Sequence, residues 1–191
     1  MRIVAGTWRG RALTAPPGET TRPTADRVRQ ALFDRLLHAP WGGRGLIEGA
    51  QVLDAFAGTG ALGLEALSRG AARACFIERD RAALTALRAN IAACRASDVS
   101  TVLPADALSV RRGSPCGLVF LDPPYGQNLV PRALAVLSGM GWIAAEAVVV
   151  AETGRDEDLS LPAELLAERV QGAARLTIWR LSAGPAATKL L

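Results

Sequence analysis

The sequence predicts an α/β domain with a mostly parallel β-sheet and helices on both faces. Its length of 191 residues suits a single domain with a small addition. Hydrophobic residues make up 50% of the chain and charged residues 21%, a composition that excludes a disordered or low-complexity protein. After residue 50, short apolar strands alternate with helical segments, which is typical of a parallel sheet covered on both faces.

The first elements are expected to form a small N-terminal appendage over residues 1–45. Two short strands, Arg2–Ala5 and Arg11–Ala15, flank a turn that contains glycine and predict a hairpin. Thr24 is expected to cap a helix that ends near His38.

The main domain is expected to span residues 46–182, after a glycine-rich loop, and residues 183–191 show no clear pattern. Its predicted strands are Gln51–Ala55, Ala74–Glu78, Thr101–Pro104, Leu118–Leu121 and Ala147–Glu152, followed by two strands around Gly172 within Leu165–Leu181. Its predicted helices are Gly60–Arg69, Asp80–Arg95 and Leu129–Ser138. The two last strands are expected to form an antiparallel hairpin.

Positive charge is concentrated near the N-terminus. Residues 1–45 carry a net charge of +5, whereas the remainder of the chain carries −1. Such asymmetry favours an anionic partner, most often nucleic acid, although a solvated arginine-rich surface would have the same composition. Lys189 is the only lysine, and arginine side chains suit phosphate better than ammonium groups do.

The small numbers of cysteine and histidine residues argue against disulfide-rich proteins and metalloproteins. Three cysteines without a CxxC spacing and a single histidine, His38, argue against a disulfide framework and against a metal site. No apolar run approaches the ~20 residues of a membrane span, and the N-terminus shows no signal-peptide pattern. We therefore expect a cytoplasmic protein, and nothing in the sequence indicates an obligate oligomer.

A glycine-rich loop lies between the first strand and the first helix of the main domain. Gly58, Gly60 and Gly63, with Glu78 about 20 residues further on, fit a dinucleotide site as well as other nucleotide-like ligands. Asp54, at the end of the strand, would repel a pyrophosphate and suits a cationic ligand such as S-adenosylmethionine. Glu78 could then accept hydrogen bonds from ribose hydroxyls.

The segment from Asp122 to Tyr125 ends an apolar strand at the same edge of the sheet, because its two prolines cannot continue a ladder. The Asp122 carboxylate and the Pro123 carbonyl could each accept one N–H of an exocyclic amine. Pro124 fixes the local backbone, and Tyr125 could stack on a base. This set of groups predicts methylation of an amine on a planar ring. Asp106, after the third strand, is a weaker candidate to accept from an adenine amino group.

The motifs resemble those of a known family. Residues 54–70 and 122–125 resemble class I S-adenosylmethionine-dependent methyltransferases that act on amino groups. Residues 2–11 and 22–29 narrow the resemblance to the ribosomal RNA small subunit methyltransferase D family, and the likeness extends over about residues 2–180. It implies a Rossmann-like, seven-stranded methyltransferase sheet. It also implies methylation of the 2-amino group of one guanine in small-subunit (16S) ribosomal RNA, which we expect within an assembled or assembling 30S particle.

The resemblance also implies roles for individual residues. The catalytic residues would be Asp122, Pro123, Pro124 and Tyr125. The S-adenosylmethionine site would consist of Asp54, Ala55, Phe56, Ala57, Gly58, Thr59, Gly60, Glu78, Arg79, Asp106 and Ala107. The RNA-binding residues would be Arg2, Arg9, Arg11, Arg22, Arg27 and Arg29.

Three alternatives stay open from the sequence. The acceptor amine could belong to adenine or to a protein glutamine. A nicotinamide-dependent oxidoreductase would explain the glycine spacing, although it would leave Asp54 and Asp122 without a role. A non-catalytic RNA-binding assembly factor could also retain the fold.

Overall fold

The computed structural model describes residues 1–16, 23–157, 159 and 161–182. The strands in these residues are Gln51–Ala55 (β1), Arg73–Glu78 (β2), Ser100–Pro104 (β3), Cys116–Leu121 (β4), Ile143–Gly154 (β5), Glu164–Gln171 (β6) and Ala174–Arg180 (β7). The α-helices are Pro23–His38 (α1), Ala61–Ser68 (α2), Arg81–Ala93 (α3) and Leu129–Gly139 (α4). Single 3₁₀ turns occupy Arg44–Leu46 and Ser97–Val99.

The seven strands form one sheet in the order β3-β2-β1-β4-β5-β7-β6. Strands β1 to β5 pair in parallel, and β7 pairs antiparallel with both β5 and β6. The prediction of a mostly parallel sheet with a closing antiparallel hairpin is confirmed. The chain leaves β1 towards β2 and β3, then returns to place β4 on the other side of β1. This reversal creates a switch point at the carboxyl ends of β1 and β4, where open α/β sheets bind ligands.

Hydrophobic clusters cover both faces of the sheet. One cluster joins helices α1, α2 and α3 to the sheet and contains the fully buried Phe33, Phe76 and Phe120. The other packs α4 on the opposite face around Leu134 and Trp142. Successive residues of each strand alternate between the two clusters because strand side chains point to opposite faces. The prediction of helices on both faces is confirmed.

The N-terminal segment packs as an added layer on the first cluster. Its predicted hairpin is present as a turn with a single β-bridge, Arg2 to Ala12, and its two arms are not regular strands. The N–H groups of Val4 and Ala5 explain the difference, because they donate to the side chain of Glu65 in α2. Ile3 nevertheless lies in the same core as α2, with no exposed surface.

Several element boundaries differ from the prediction by one or more residues, among them those of α1 and β5. Helix α1 begins at Pro23, so Thr24 lies within the helix and is not its cap. Proline suits a first helical turn because its fixed φ is already helical and its missing N–H would have no partner there. Strand β5 begins at Ile143, earlier than predicted, because its first residue pairs with Cys116 ahead of an irregularity in the ladder. The expected tail, residues 183–191, lies outside the described residues. Within the described residues, no helix has the length and apolar character to cross a membrane.

Candidate active site

The loop after β1 turns sharply at the switch point. Phe56 adopts φ of 71°, a left-handed conformation that is uncommon for a non-glycine residue and often marks a functional site. The turn is held because the N–H groups of Phe56 and Ala57 both donate to the carbonyl of Ile77, each at 3.0 Å. Gly58 has φ of 53°, and a Cβ at this position would meet open space. The backbone at Gly58 is therefore open to the close approach of a ligand.

Gly60 and Gly63 serve the packing of the loop more than its contact with a ligand. A Cβ on Gly60 would lie 2.4 Å from Leu87 Cδ1, and one on Gly63 would lie 2.4 Å from Phe76 Cε1. Both glycines therefore let α2 approach β2 and α3 closely. Close packing of the helices therefore explains the glycine spacing that this loop shares with dinucleotide sites.

Asp54 lies at the base of the loop with 2% of its surface exposed. Its Oδ2 accepts a hydrogen bond from Gly63 N at 2.9 Å. Burial raises the pKa of Asp54 to about 8, which the bond from Gly63 opposes and the charges of Asp122 and Glu78 reinforce. A cationic ligand would favour the ionised form of this carboxyl. The side chain is thus positioned to interact with a positive charge.

Glu78 ends β2 and connects the loop to the start of α3. Its Oε2 accepts from Gly58 N at 2.7 Å, and its Oε1 accepts from Arg79 N and Asp80 N at 2.8 Å each. A carboxylate has about four lone-pair sites, so one site on Oε2 remains for a ligand hydroxyl. Glu78 therefore combines a structural role with a capacity for one ribose contact.

Asp106 forms a neighbouring polar group after β3. Its Oδ1 accepts from Leu108 N at 2.9 Å, and its Oδ2 accepts from the Arg79 guanidinium at 2.8 Å. The bond from Leu108 lowers the pKa of Asp106, with a further contribution from Arg79, so the carboxyl stays ionised. Ala107 is buried beside it.

The segment after β4 places an acid, a proline carbonyl and an aromatic ring at the switch point. Asp122 lines the cavity, and part of its residue surface is exposed to solvent. The protein atoms around Asp122, followed by the charge of Glu152, raise its pKa. Pro123 is buried, whereas Tyr125 has 44% of its surface exposed. The Tyr125 hydroxyl donates a hydrogen bond to Glu152 Oε1, which fixes the edge of the ring.

A cavity of about 720 Å³ joins the loop to this segment. Such a volume is within the usual range for a small-molecule site. Asp54, Gly58, Asp122 and Glu152 all contribute to its lining. Among the described residues, four carboxyl groups line the cavity, those of Asp54, Asp122, Glu152 and Glu168. Asp54, at the base of the glycine loop, is the one placed to interact with the positively charged end of S-adenosylmethionine. Pro124 and Tyr125 lie at its exposed margin and are not part of the lining.

The predicted site residues form two groups within this arrangement. The cavity is lined by Asp54, Phe56, Ala57, Gly58, Thr59 and Asp122. Glu78, Arg79 and Asp106 do not line it, but hydrogen bonds from Gly58 to Glu78, from Arg79 to Glu78 and from Arg79 to Asp106 connect them to the loop. The predicted residues Ala55, Gly60, Ala107 and Pro123 also lie outside the lining.

Four predicted RNA-binding residues, Arg2, Arg9, Arg11 and Arg27, are exposed on the N-terminal hairpin and α1. Three of them, Arg2, Arg9 and Arg27, line a groove of about 540 Å³ between these two elements. Arg22 lies outside the described residues.

Arg29 differs from the exposed arginines in its surroundings. This side chain has 5% of its residue surface exposed, and its guanidinium lies 2.8 Å from Asp26 and 3.6 Å from the buried Glu65. It also donates to the carbonyl of Arg2. The charge of Arg29 is therefore balanced by carboxylates inside the protein, where the residue also lines the cavity of the candidate site.

Sequence reasoning missed two acidic residues that organise the site. Glu65 is fully buried and accepts from Val4 N at 2.8 Å, from Ala5 N at 3.0 Å and from Arg69 Nε at 2.8 Å. It thereby joins the N-terminal hairpin to the helix that follows the glycine loop. Glu152 follows the apolar residues 147–151 of β5 just as Asp122 follows the apolar residues 118–121 of β4, and this parallel was the signal that could have revealed it. Within the described residues, no group of three or more potential ligands is arranged to hold a metal ion.

Comparisons with known proteins agree with this geometry. The family model described as Conserved hypothetical protein 95 matches residues 1–180. Ribosomal RNA small subunit methyltransferase D of Escherichia coli is 41% identical over 188 residues, covering 96% of this chain and 91% of that protein. The protein of the same name from Haemophilus influenzae is 35% identical over 187 residues, covering 94% and 93%.

A solved structure shows the same fold. The Escherichia coli methyltransferase yhhF superposes with a TM-score of 0.81 at 40% identity, and the match covers 96% of this chain and 99% of that one. The methyl donor of such class I methyltransferases is S-adenosylmethionine, and the Asp54 carboxyl in the cavity suits its positive charge. The chain therefore belongs to the Conserved hypothetical protein 95 family of class I methyltransferases, together with ribosomal RNA small subunit methyltransferase D.

Proposed function

We propose that this methyltransferase transfers a methyl group from S-adenosylmethionine to the exocyclic 2-amino group of a guanine in small-subunit (16S) ribosomal RNA. The observation that carries the proposal is that Asp122, which Pro123 follows directly, lines the same cavity as Asp54 and Gly58 of the glycine loop. The ribosomal RNA methyltransferases to which the chain is 35–41% identical support the choice of substrate.

S-adenosylmethionine, when bound, supplies an electrophilic methyl group on its sulfonium. Asp54 would interact with its cationic end, and the backbone at Gly58 would approach it closely. Glu78 would accept a hydrogen bond from a ribose hydroxyl. Asp106 and Arg79 would contact the adenine end of the ligand.

The chain then has to make a poor nucleophile reactive, because the lone pair of the guanine 2-amino group is delocalised into the ring. Asp122 and the Pro123 carbonyl each accept one N–H, which favours a tetrahedral nitrogen with its lone pair free. The positions of these acceptors are fixed by the prolines before reaction, so little reorganisation is needed. Asp122 is also suited to accept the proton that the nitrogen loses after transfer, because its raised pKa makes it a stronger base than an ordinary carboxylate.

Access to the amine requires that the guanine leave its stack and enter the cavity. Tyr125 would stack on the extruded base, and its hydroxyl is already held by Glu152. Phosphates of the surrounding RNA would bind to the exposed arginines of the N-terminal hairpin and α1, which are Arg2, Arg9, Arg11 and Arg27. We propose that the enzyme acts as a monomer in the cytoplasm on an assembled or assembling 30S particle, since so small a protein has limited surface for reading RNA sequence.

Transfer of labelled methyl from S-adenosylmethionine tests this proposal. Unmodified small ribosomal subunits, their naked RNA, DNA and a protein mixture are offered in parallel. We expect label in subunits or their RNA alone. Asp122→Asn should abolish most of this label, whereas the exposed Asp98→Asn should leave it unchanged. Label in DNA or protein would contradict the proposed substrate while leaving the chemistry intact.

A further inference from the structure

Glu152 stands next to Asp122 at the edge of the sheet. Strands β4 and β5 are parallel neighbours in which Leu121 pairs with Ala151. Asp122 follows Leu121 and Glu152 follows Ala151, so the two carboxyl groups are neighbours at this edge of the sheet. Besides desolvation by the surrounding protein atoms, the charge of Glu152 helps to raise the pKa of Asp122. Both side chains line the cavity that contains the glycine loop.

One oxygen of Glu152 is held in place and the other is available. Oε1 accepts the hydrogen bond from the Tyr125 hydroxyl. Among the described residues, no hydrogen bond reaches Oε2. The carboxylate is therefore oriented by Tyr125 and keeps an acceptor for a ligand in the same cavity. The mechanism above does not use this acceptor.

The chemistry of the proposed substrate provides a partner for that acceptor. A guanine edge carries three adjacent N–H donors, two on the 2-amino group and one on N1. Asp122 and the Pro123 carbonyl accept the two amino protons, which leaves N1–H. Adenine differs at this atom, because its N1 is unprotonated and presents a lone pair. A carboxylate beside N1 would therefore repel adenine and attract guanine.

We propose that Glu152 determines the specificity for guanine by accepting the hydrogen bond from N1–H through Oε2. This inference rests on the proposed function, since it assumes that a guanine 2-amino group is the methyl acceptor. A site built around a substrate N–H group rejects analogues that lack this group, because its own polar atoms are then left unpaired.

The sharpest test compares guanine with 2-aminopurine at the target position of a synthetic ribosomal RNA fragment. 2-Aminopurine keeps the 2-amino group and lacks N1–H. The value of kcat/KM is measured on both RNAs for the wild type and for Glu152→Gln, whose amide can either accept from N1–H or donate to an unprotonated N1. For each enzyme, kcat/KM on the guanine RNA is divided by kcat/KM on the 2-aminopurine RNA. Comparing this ratio between the wild type and Glu152→Gln cancels the intrinsic reactivity of the two bases.

We expect the wild type to prefer guanine and Glu152→Gln to lower that preference by roughly 10- to 100-fold. S-adenosylmethionine affinity should be unchanged in this variant. Glu164→Gln, an exposed β6 residue paired with Arg180, serves as the matched control and should retain the wild-type preference. If Glu152 supports activity but not specificity, Glu152→Gln will lower kcat/KM equally on the guanine RNA and on the 2-aminopurine RNA. Their ratio would then be unchanged, which would overturn the proposal.

Failure of the proposed function would look different. The wild type would then methylate neither RNA, while still binding S-adenosylmethionine, and the role of Glu152 in guanine selection would fall with it. Wild-type transfer to the guanine RNA together with an unchanged ratio in Glu152→Gln would reject the specificity role alone.

Discussion

Replacing Asp54 by asparagine should stabilise the protein in the absence of ligand. Asp54 is buried, and its pKa is raised from an ordinary value near 3.8 to about 8. At neutral pH the folded protein holds a proton on this carboxyl, whereas the unfolded chain does not. Folding must therefore take up a proton, at a cost that rises with pH. Asparagine keeps an oxygen that can accept the bond from Gly63 N and avoids this cost.

The size of this stability gain follows from the difference between the pKa of Asp54 in the folded protein and its ordinary value in the unfolded chain. Stability changes by about 1.4 kcal/mol for each pH unit over which the folded state holds one more proton than the unfolded state. The wild-type contribution is neutral below pH 3.8 and becomes increasingly unfavourable until the pH passes about 8. The advantage of Asp54→Asn is therefore about 2 kcal/mol at pH 5 and about 4 kcal/mol at pH 7.

Urea unfolding followed by circular dichroism at pH 5, 6 and 7 measures this difference, with the exposed Asp98→Asn as control. Calorimetry with S-adenosylmethionine supplies the functional counterpart, because the cationic ligand should bind more weakly to Asp54→Asn than to the wild type. A variant less stable than the wild type at pH 7 would refute the reasoning. So would a stability gain that does not change with pH, since the proton would then not be its cause.

Four further predictions concern the rest of the site. Asp122→Ala should keep S-adenosylmethionine binding and lose roughly 100-fold or more in methyl transfer, measured with labelled donor; near-native turnover would remove its catalytic role. Glu78→Ala should weaken cofactor binding in calorimetry, because the acceptor for a ribose hydroxyl and the hydrogen-bond partner of Gly58 N are both lost; unchanged affinity would show that Glu78 is a surface acid with no contact to the cofactor. Arg9→Ala combined with Arg11→Ala should lower RNA binding and flatten its salt dependence, and identical salt slopes would locate RNA elsewhere. Glu65→Ala should destabilise the fold by about 3–5 kcal/mol in urea unfolding, because Arg69 Nε and the N–H groups of Val4 and Ala5 all lose their buried acceptor; a smaller loss would indicate that water replaces the carboxylate.

The sequence predicted the sheet and the two main motifs because both depend on local signals. The alternation of apolar strands and helices placed every strand of the sheet, and the motifs at the carboxyl ends of β1 and β4 identified Asp54 and Asp122. Parallel strands bring their carboxyl ends to one edge, so the convergence of these two acids followed from the topology.

The differences from expectation arose where distant residues decide the outcome. Arg29 belongs to an arginine-rich segment and looked exposed, but Glu65 and Asp26 hold it inside the protein. The hairpin lost its regular strands because Glu65 takes the N–H groups that a partner strand would use. Glu152 was missed because its importance depends on the register between β4 and β5, which periodicity alone does not provide.

The most direct test of the central claim is the identity of the methylated nucleoside. Small ribosomal subunits lacking the modification are incubated with the enzyme and labelled S-adenosylmethionine, and their RNA is digested and analysed by mass spectrometry. The account predicts that the label appears as N2-methylguanosine and that Asp122→Ala removes it while cofactor binding persists. Label on a ring nitrogen of guanine, on adenine or on ribose would contradict the role of Asp122 and Pro123 as the acceptors that hold the guanine 2-amino group.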